Sequence, residues 1–295
     1  MKKVLIMVIN LLWLLTWQVS WAKLLVFGPQ IYTRSPGEPQ KIVKTFSVKN
    51  PQGKFTLHIQ SVERRPGKMG SAVIELNGVQ VIGPAEFQKD VVTITKPIKL
   101  QKQNKVAVEV QSEPETWVMV SILSPERPSA KGMVGPLGGT VSLKGLASVI
   151  FPAGAFKTNT PVTVSVTTSP ETDQAFSVNA EGPRLPYEIR INSDNIAPAT
   201  SFDVVLDVPD TFITSLPPDT PQIDVFVQIY DAGEMEILDH FHGFTSTFDP
   251  ATKKVSTTLP QYAFANERWP DLTCEAIMIV GAIPRVEGPK RKRDT

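Results

Sequence analysis

The sequence predicts an all-β chain: two antiparallel, immunoglobulin-like β-sandwich domains in tandem behind a short apolar leader. Three observations predict it. Apolar residues recur at every second position through most of the chain, 26 prolines and 18 glycines punctuate those runs, and no stretch sustains a helical period. A strand sends successive side chains to opposite faces, so each alternating run defines one face for a core and one for water.

The leader comes first. Lys2-Lys3 precede an apolar run from Val4 to Trp17, and small residues stand at Ser20 and Ala22. That order is the pattern of a secretory signal peptide over residues 1–22, cleaved between Ala22 and Lys23. The run is shorter than the ~20 residues a membrane-spanning helix needs, and no Cys lies near the cleavage point to carry a lipid. No later segment is apolar enough to span a bilayer, so the expected location is secreted, periplasmic or on the cell surface. The one Cys, Cys274, has no partner for an intramolecular disulfide, which fits a bacterial envelope protein whose cores are stable without cross-links. Cys274 itself reads as a small buried hydrophobe.

The first sandwich is expected over residues 23–124. Phe55, Leu57 and Ile59 alternate with Thr56, His58 and Gln60, which places His58 on the solvated face of its strand. Ala72, Ile74 and Leu76 run into Asn77-Gly78, and Val79 and Val81 leave it. Asn-Gly between alternating runs is a hairpin signal, because both central residues of the favoured turn need positive φ. Val106, Val108 and Val110 supply a further strand, and the domain closes with Trp117 to Leu123. Residues 125–132 contain Pro125 and Pro128 and no large apolar side chain, so they read as an extended linker. The second sandwich is expected over 133–283, on the alternation of Val162 to Val166, Tyr187 to Ile191 and Phe202 to Val208 and on later runs to Val280. Residues 284–295, with Lys290-Arg291-Lys292-Arg293, read as a disordered basic tail.

The second domain opens on Val134-Gly135-Pro136-Leu137-Gly138-Gly139-Thr140-Val141, followed by Val149-Ile150-Phe151-Pro152-Ala153-Gly154-Ala155-Phe156 and Thr160 to Val164. The glycine pair supplies backbone freedom for a tight reversal, and Phe151 to Gly154 suit a type I turn with Pro second and Gly fourth. This series resembles the opening of the ZU-type domain, the family named for zonula occludens proteins and netrin receptors and found also in ankyrins and bacterial exported proteins. The motif residues are Gly135, Gly138, Gly139, Pro152, Gly154 and Ala155; the resemblance runs from Val134 to Val166 and, by strand pattern, to Val280. Some related sandwiches cut their own chain at a His-Phe-Ser step. Here Gln261, Tyr262 and Ala263 stand at the comparable place, with neither base nor nucleophile, and His240-Phe241-His242 lacks the serine, so no self-cleavage is expected. The first domain, through Ala72 to Gly78, Val81 to Phe87 and Ile98 to Val110, resembles a small β module repeated in bacterial surface and secreted proteins, where such units act as spacers or accessories.

Chemistry-bearing residues are sparse. His240 and His242 are two apart and share one face of a strand, so with Asp239 or Asp231 they are candidates for zinc. Asp239 points to the other face, which leaves the pair without a third ligand and makes surface histidines the plainer reading. Asp203 and Asp207, four apart on one strand, stand roughly 13 Å apart at the usual strand rise, too far for a glycosidase pair. No Gly-x-Ser-x-Gly elbow or phosphate-cradling glycine loop is present. Trp117, Trp269, Tyr187, Tyr230 and Tyr262 could stack on sugar rings or anchor cores. A net charge of +1 gives no overall field for nucleic acid. The expectation is a non-catalytic exported structural, adhesion or accessory module of the bacterial envelope, without a cofactor, contacting a protein or glycan. The alternatives are the non-catalytic front part of an envelope hydrolase, a carbohydrate-binding module, and a small zinc enzyme centred on His240 and His242.

Overall fold

The computed structural model describes residues 24–61, 70–87, 93–114, 116–168, 182–194, 196–216, 222–231, 236–241, 246–261 and 274–283. The described strands form four antiparallel sheets. Sheet I orders β1 (Leu25–Thr33), β8 (Trp117–Leu123), β3 (Phe55–Ser61) and β6 (Thr93–Ile98). Sheet II orders β2 (Lys41–Ser47), β7 (Gln103–Val110), β4 (Ala72–Leu76) and β5 (Val79–Ile82). Sheet III orders β10 (Gly139–Leu143), β11 (Ala147–Phe151), β14 (Phe202–Asp207), β18 (Lys254–Leu259) and β17 (Ser246–Asp249). Sheet IV orders β16 (Glu236–Phe241), β15 (Gln222–Asp231), β19 (Cys274–Ile283), β13 (Glu188–Asn192), β12 (Thr160–Thr167) and β9 (Ser129–Val134). A short helix, α1 (Asp210–Ser215), follows β14.

Local chemistry explains the elements. Along β12 every second residue is buried, as its Val-Thr-Val-Ser-Val alternation requires. Asn77 and Gly78 sit at φ 54° and 83°, the double positive φ expected of the hairpin turn between β4 and β5. Pro97 lies in β6, at the edge of sheet I, where its missing N–H breaks no ladder. In sheet I the first strand neighbours β8, whereas in an immunoglobulin order it neighbours the second.

Sheets I and II enclose one core, built on Leu57, Ile59, Ile74, Val108, Val120 and Ile122. Sheets III and IV enclose a second, built on Val149, Phe151, Val164, Ile191, Val204 and Val255. The second core does not stop at its own sheets. It continues into Leu25, Ile31, Trp117, Met119 and Leu123, the far face of sheet I. All seven residues of β8 are therefore buried, Val118, Val120 and Ile122 on one side and Trp117, Met119 and Leu123 on the other. Sheet I is a middle layer.

Two expectations change as a result. The proposed linker ends early: Ser129 to Gly132 belong to β9, which pairs along β12 from Ser165 back to Thr160. Backbone N–H and C=O groups beside an open sheet edge are satisfied by pairing, and the small side chains here do not oppose it. His58 is also not solvated. It is 5% exposed, with Gln60 at 1%, because the face opposite Leu57 and Ile59 lies against the second half of the molecule. There the Arg184 N–H donates to Gln60 Oε1 at 3.0 Å in a buried contact.

Because the halves share a core, they are expected to unfold together. Urea denaturation of the full chain should give one transition by fluorescence and circular dichroism. Met119→Ala, which opens a cavity at the junction, should lower stability by about 2–5 kcal/mol. Two separate transitions, only one of them moved by Met119→Ala, would show that the halves are energetically independent.

Candidate functional site

Where sheet I meets the second half, a cleft of about 970 Å³ opens between them. One wall comes from β1 and β2. β1 is irregular, with register shifts between Leu25 and Phe27 and between Phe27 and Gln30. Gly28 sits at φ 75°, and a Cβ there would lie 2.4 Å from the Val120 carbonyl oxygen, so only glycine lets β1 approach β8 so closely. This wall presents Val26, Phe27 and Gln30, joined by Lys44 and Thr45 of β2. The Phe27 ring is held 5.1 Å from Phe46.

The opposite wall is made by three connections. The turn between β10 and β11 closes with the Leu146 N–H donating to the Leu143 carbonyl at 3.0 Å, and presents Lys144 and Leu146 to the cleft. The Asp207 N–H donates to the Leu146 carbonyl at 2.9 Å, fixing the end of β14 against that turn. The chain then enters α1, whose Thr211 hydroxyl donates to the Gly28 carbonyl at 2.9 Å and ties the walls together. Lys253, at φ 58° in the turn before β18, accepts at its carbonyl from the Val208 N–H at 2.9 Å. Leu24, Leu25, Val208 and Tyr187 supply apolar surface.

The cleft mixes charges of both signs. Lys253 Nζ is 2.6 Å from Asp210, and Lys254 Nζ is 3.7 Å from Asp207. Lys44 and Lys144, one from each wall, form no ion pair among the described residues. Tyr187 is 4% exposed, and its hydroxyl has no hydrogen-bond partner among the described residues. Burial, and secondarily the Asp207 carboxylate, push its phenol above the usual tyrosine range. The lining contains neither His nor Cys.

The residues singled out from sequence fall elsewhere for the most part. Asp203 and Asp207 stay at opposite ends of β14; Asp203 accepts from the Thr258 hydroxyl at 2.6 Å, and only Asp207 reaches the cleft. His240 lies on β16 opposite Gln228, and His242 lies outside the described residues, as do Ala22, Lys23, Tyr262, Ala263, Trp269 and the basic tail. Cys274 begins β19 opposite Asp231, and its side chain, with those of Asp239, His240 and Tyr230, is likewise outside what is described. Among the described residues there is no group of three or more His, Cys, Asp or Glu that could hold a metal ion. Nor, among them, is any helix long and apolar enough to cross a membrane. Trp117 and Tyr187 are 4% exposed and sit in cores, so neither is an open platform for a sugar ring.

The glycines and prolines singled out around Gly138 and Pro152 form a turn-on-turn contact. The Gly138 N–H donates to the Gly135 carbonyl at 3.0 Å, and Gly138 is at φ 80°. A Cβ on Gly138 would be 2.4 Å from the Phe151 carbonyl oxygen and 2.7 Å from the Pro152 carbonyl carbon. The second turn is displaced by one residue from the expected type I turn. The Ala155 N–H donates to the Pro152 carbonyl at 3.2 Å, with Gly154 third at φ 83°, the position where a type II turn needs positive φ. The Gly154 N–H donates to the Pro136 carbonyl at 2.8 Å and joins the two turns.

No family model matches the chain, and no curated protein matches it. Among solved structures it is similar to a Paenibacillus sp. cycloisomaltooligosaccharide glucanotransferase crystallised with cycloisomaltoheptaose. That likeness has 9% identity and a TM-score of 0.21, and it covers 80% of this chain and 40% of that one. At that score it carries no functional argument.

Sequence reasoning missed the cleft. Its one available signal was charge segregation hidden by the near-neutral total: residues 23–124 hold 14 Lys and Arg against 8 Asp and Glu, whereas residues 125–283 hold 9 against 19. The cleft lies on that boundary.

Two outcomes follow from these geometries. Gly145→Ala, at φ 72° with open space around the added carbon, should cost about 1–2 kcal/mol in chemical denaturation from backbone strain alone. Gly138→Ala should cost clearly more, because it also collides with backbone; equal costs would remove the turn-on-turn contact as a constraint. The second outcome concerns alkali. Tyr187 and Tyr32 both have phenol pKa values raised by burial, so the folded chain keeps protons that the unfolded chain releases above pH ~10. Stability should therefore fall as pH rises past that point, and Tyr187→Phe should lessen the fall. Phenolate absorbance that develops fully before unfolding would contradict it.

Proposed function

We propose that the chain is a non-catalytic exported binding module of the bacterial envelope, whose second half is a ZU-type domain and whose working surface is the cleft between the halves. The observation that carries the reading is the cleft itself: two walls from different sheets, cross-linked by the Thr211 to Gly28 hydrogen bond and seated on a shared core. A fixed concave site at a domain junction is a common form of ligand site. Its lining offers Asp, Lys, Thr and Gln, which recognise polar groups, and lacks a nucleophile paired with a base. The leader and the single Cys support export, and the glycine and proline spacing from Val134 to Val166 carries the ZU-type resemblance. The polar rim over an apolar floor favours the carbohydrate-binding form of this reading over a purely structural one.

The test is capture of envelope components by the full processed chain. Wild type should retain a protein or glycan that is lost when Leu146→Trp fills the cleft, with circular dichroism showing that the variant is still folded. Equal capture by both would move the binding surface elsewhere. Hydrolysis of cell-wall, glycan or peptide substrates by the pure chain, abolished by one substitution in the cleft, would overturn the non-catalytic reading.

A further inference from the structure

We infer that the cleft between the two halves binds an acidic oligosaccharide, a sugar chain carrying carboxylate or phosphate groups, with Lys44 and Lys144 gripping the charge from opposite walls. The inference rests on the binding-module reading and adds its ligand class.

Three features point the same way. The first is the pairing of unlike charges at the rim. Asp210 with Lys253 sets acceptor beside donor, Asp207 adds an acceptor whose ion-pair partner Lys254 lies outside the lining, and a sugar's adjacent hydroxyls each donate and accept. Thr45, Thr211 and Thr252 extend that mixed rim. The second is the surplus of positive charge. Both carboxylates already face an ammonium, so Lys44 and Lys144 are the cations left over, and they approach from the basic first half and from the acidic second half respectively. A neutral sugar would leave them unanswered. A simple inorganic anion would leave most of the cleft unfilled, since about 970 Å³ is the size of a site for an extended organic molecule. The third is the floor, which is aliphatic, from Leu24, Leu25, Leu146 and Val208, and suits the C–H edges of sugar rings. The aromatic platforms of a stacking-type sugar site are not among these residues, which makes hydrogen bonding and charge the means of recognition.

Carboxylate and phosphate are two sources of one chemistry, and calorimetry can separate them. The full processed chain would be titrated with a hexamer of uronic acid, a hexaose bearing phosphate monoesters, and neutral maltohexaose. One or both acidic hexaoses should bind at least tenfold more tightly than the neutral one, and the preferred one identifies the source. Affinity should fall with added salt. Lys44→Gln combined with Lys144→Gln should weaken acidic binding tenfold or more, while Lys157→Gln, an exposed lysine outside the cleft, leaves it unchanged. Equal binding of maltohexaose, no binding of any hexaose, or full acidic binding by the double lysine variant would each overturn the inference. Capture of an envelope protein by a chain that binds no hexaose would overturn this inference alone and leave the binding-module reading standing.

Discussion

Burial of both faces of β8 is the constraint on which the rest of the molecule depends. A strand at the side of an ordinary sandwich has one dry face and one wet face. β8 has Val118, Val120 and Ile122 in the first core and Trp117, Met119 and Leu123 in the second. Each large side chain fully withdrawn from water is worth about 1.5–3 kcal/mol, so pulling the halves apart would expose a sum comparable to the whole stability of a typical domain. The bared face would also be a sticky apolar patch with His58 and Gln60 among it. The two halves are separate in sequence and share a core.

That coupling explains which expectations held and which did not. The all-β class was legible because period two is a local property, visible in Val162 to Val166 or Phe202 to Val208 without knowledge of neighbours. The turn at Asn77-Gly78 was legible for the same reason. Which face of a strand meets water is not local. His58 sits on the polar phase of β3, and only the position of the second half decides that this phase is buried. One signal was nevertheless present. Trp117 to Leu123 is an almost unbroken apolar run, the pattern of a strand covered on both sides. The extent of β9 escaped for a related reason: Ser129 to Gly132 are small or polar, and their strand state comes from β12 offering an edge.

The motif glycines show a further division between what a pattern marks and what it means. Gly135, Gly138, Gly139, Pro152 and Gly154 announce tight turns in sequence. Their use is tertiary: two turns touch backbone to backbone, and the added carbon of any other residue at Gly138 would occupy the space of the Phe151 carbonyl. Spacing alone placed the second turn one residue early, since Pro-x-Gly fits either register and the Ala155 to Pro152 hydrogen bond selects between them.

The cleft was the least legible feature, because one of its walls is made of connections and faces strands β1 and β2 from the other half. Lys144 and Leu146, Asp207 to Thr211 and Lys253 are far apart in sequence, and each taken alone is an unremarked surface turn. What brings them together is again the shared core. With sheet I locked against the second half, the β10–β11 turn, the entry to α1 and the turn before β18 have fixed positions opposite β1 and β2. A ligand entering such a site orders little protein, and affinity that would be spent on closing two mobile domains is retained. The placing of charge also favours discrimination, since Lys44 and Lys144 stand on opposite walls of the cleft. The same burial that hides β8 from solvent is therefore what gives the junction a defined shape and a defined arrangement of charge.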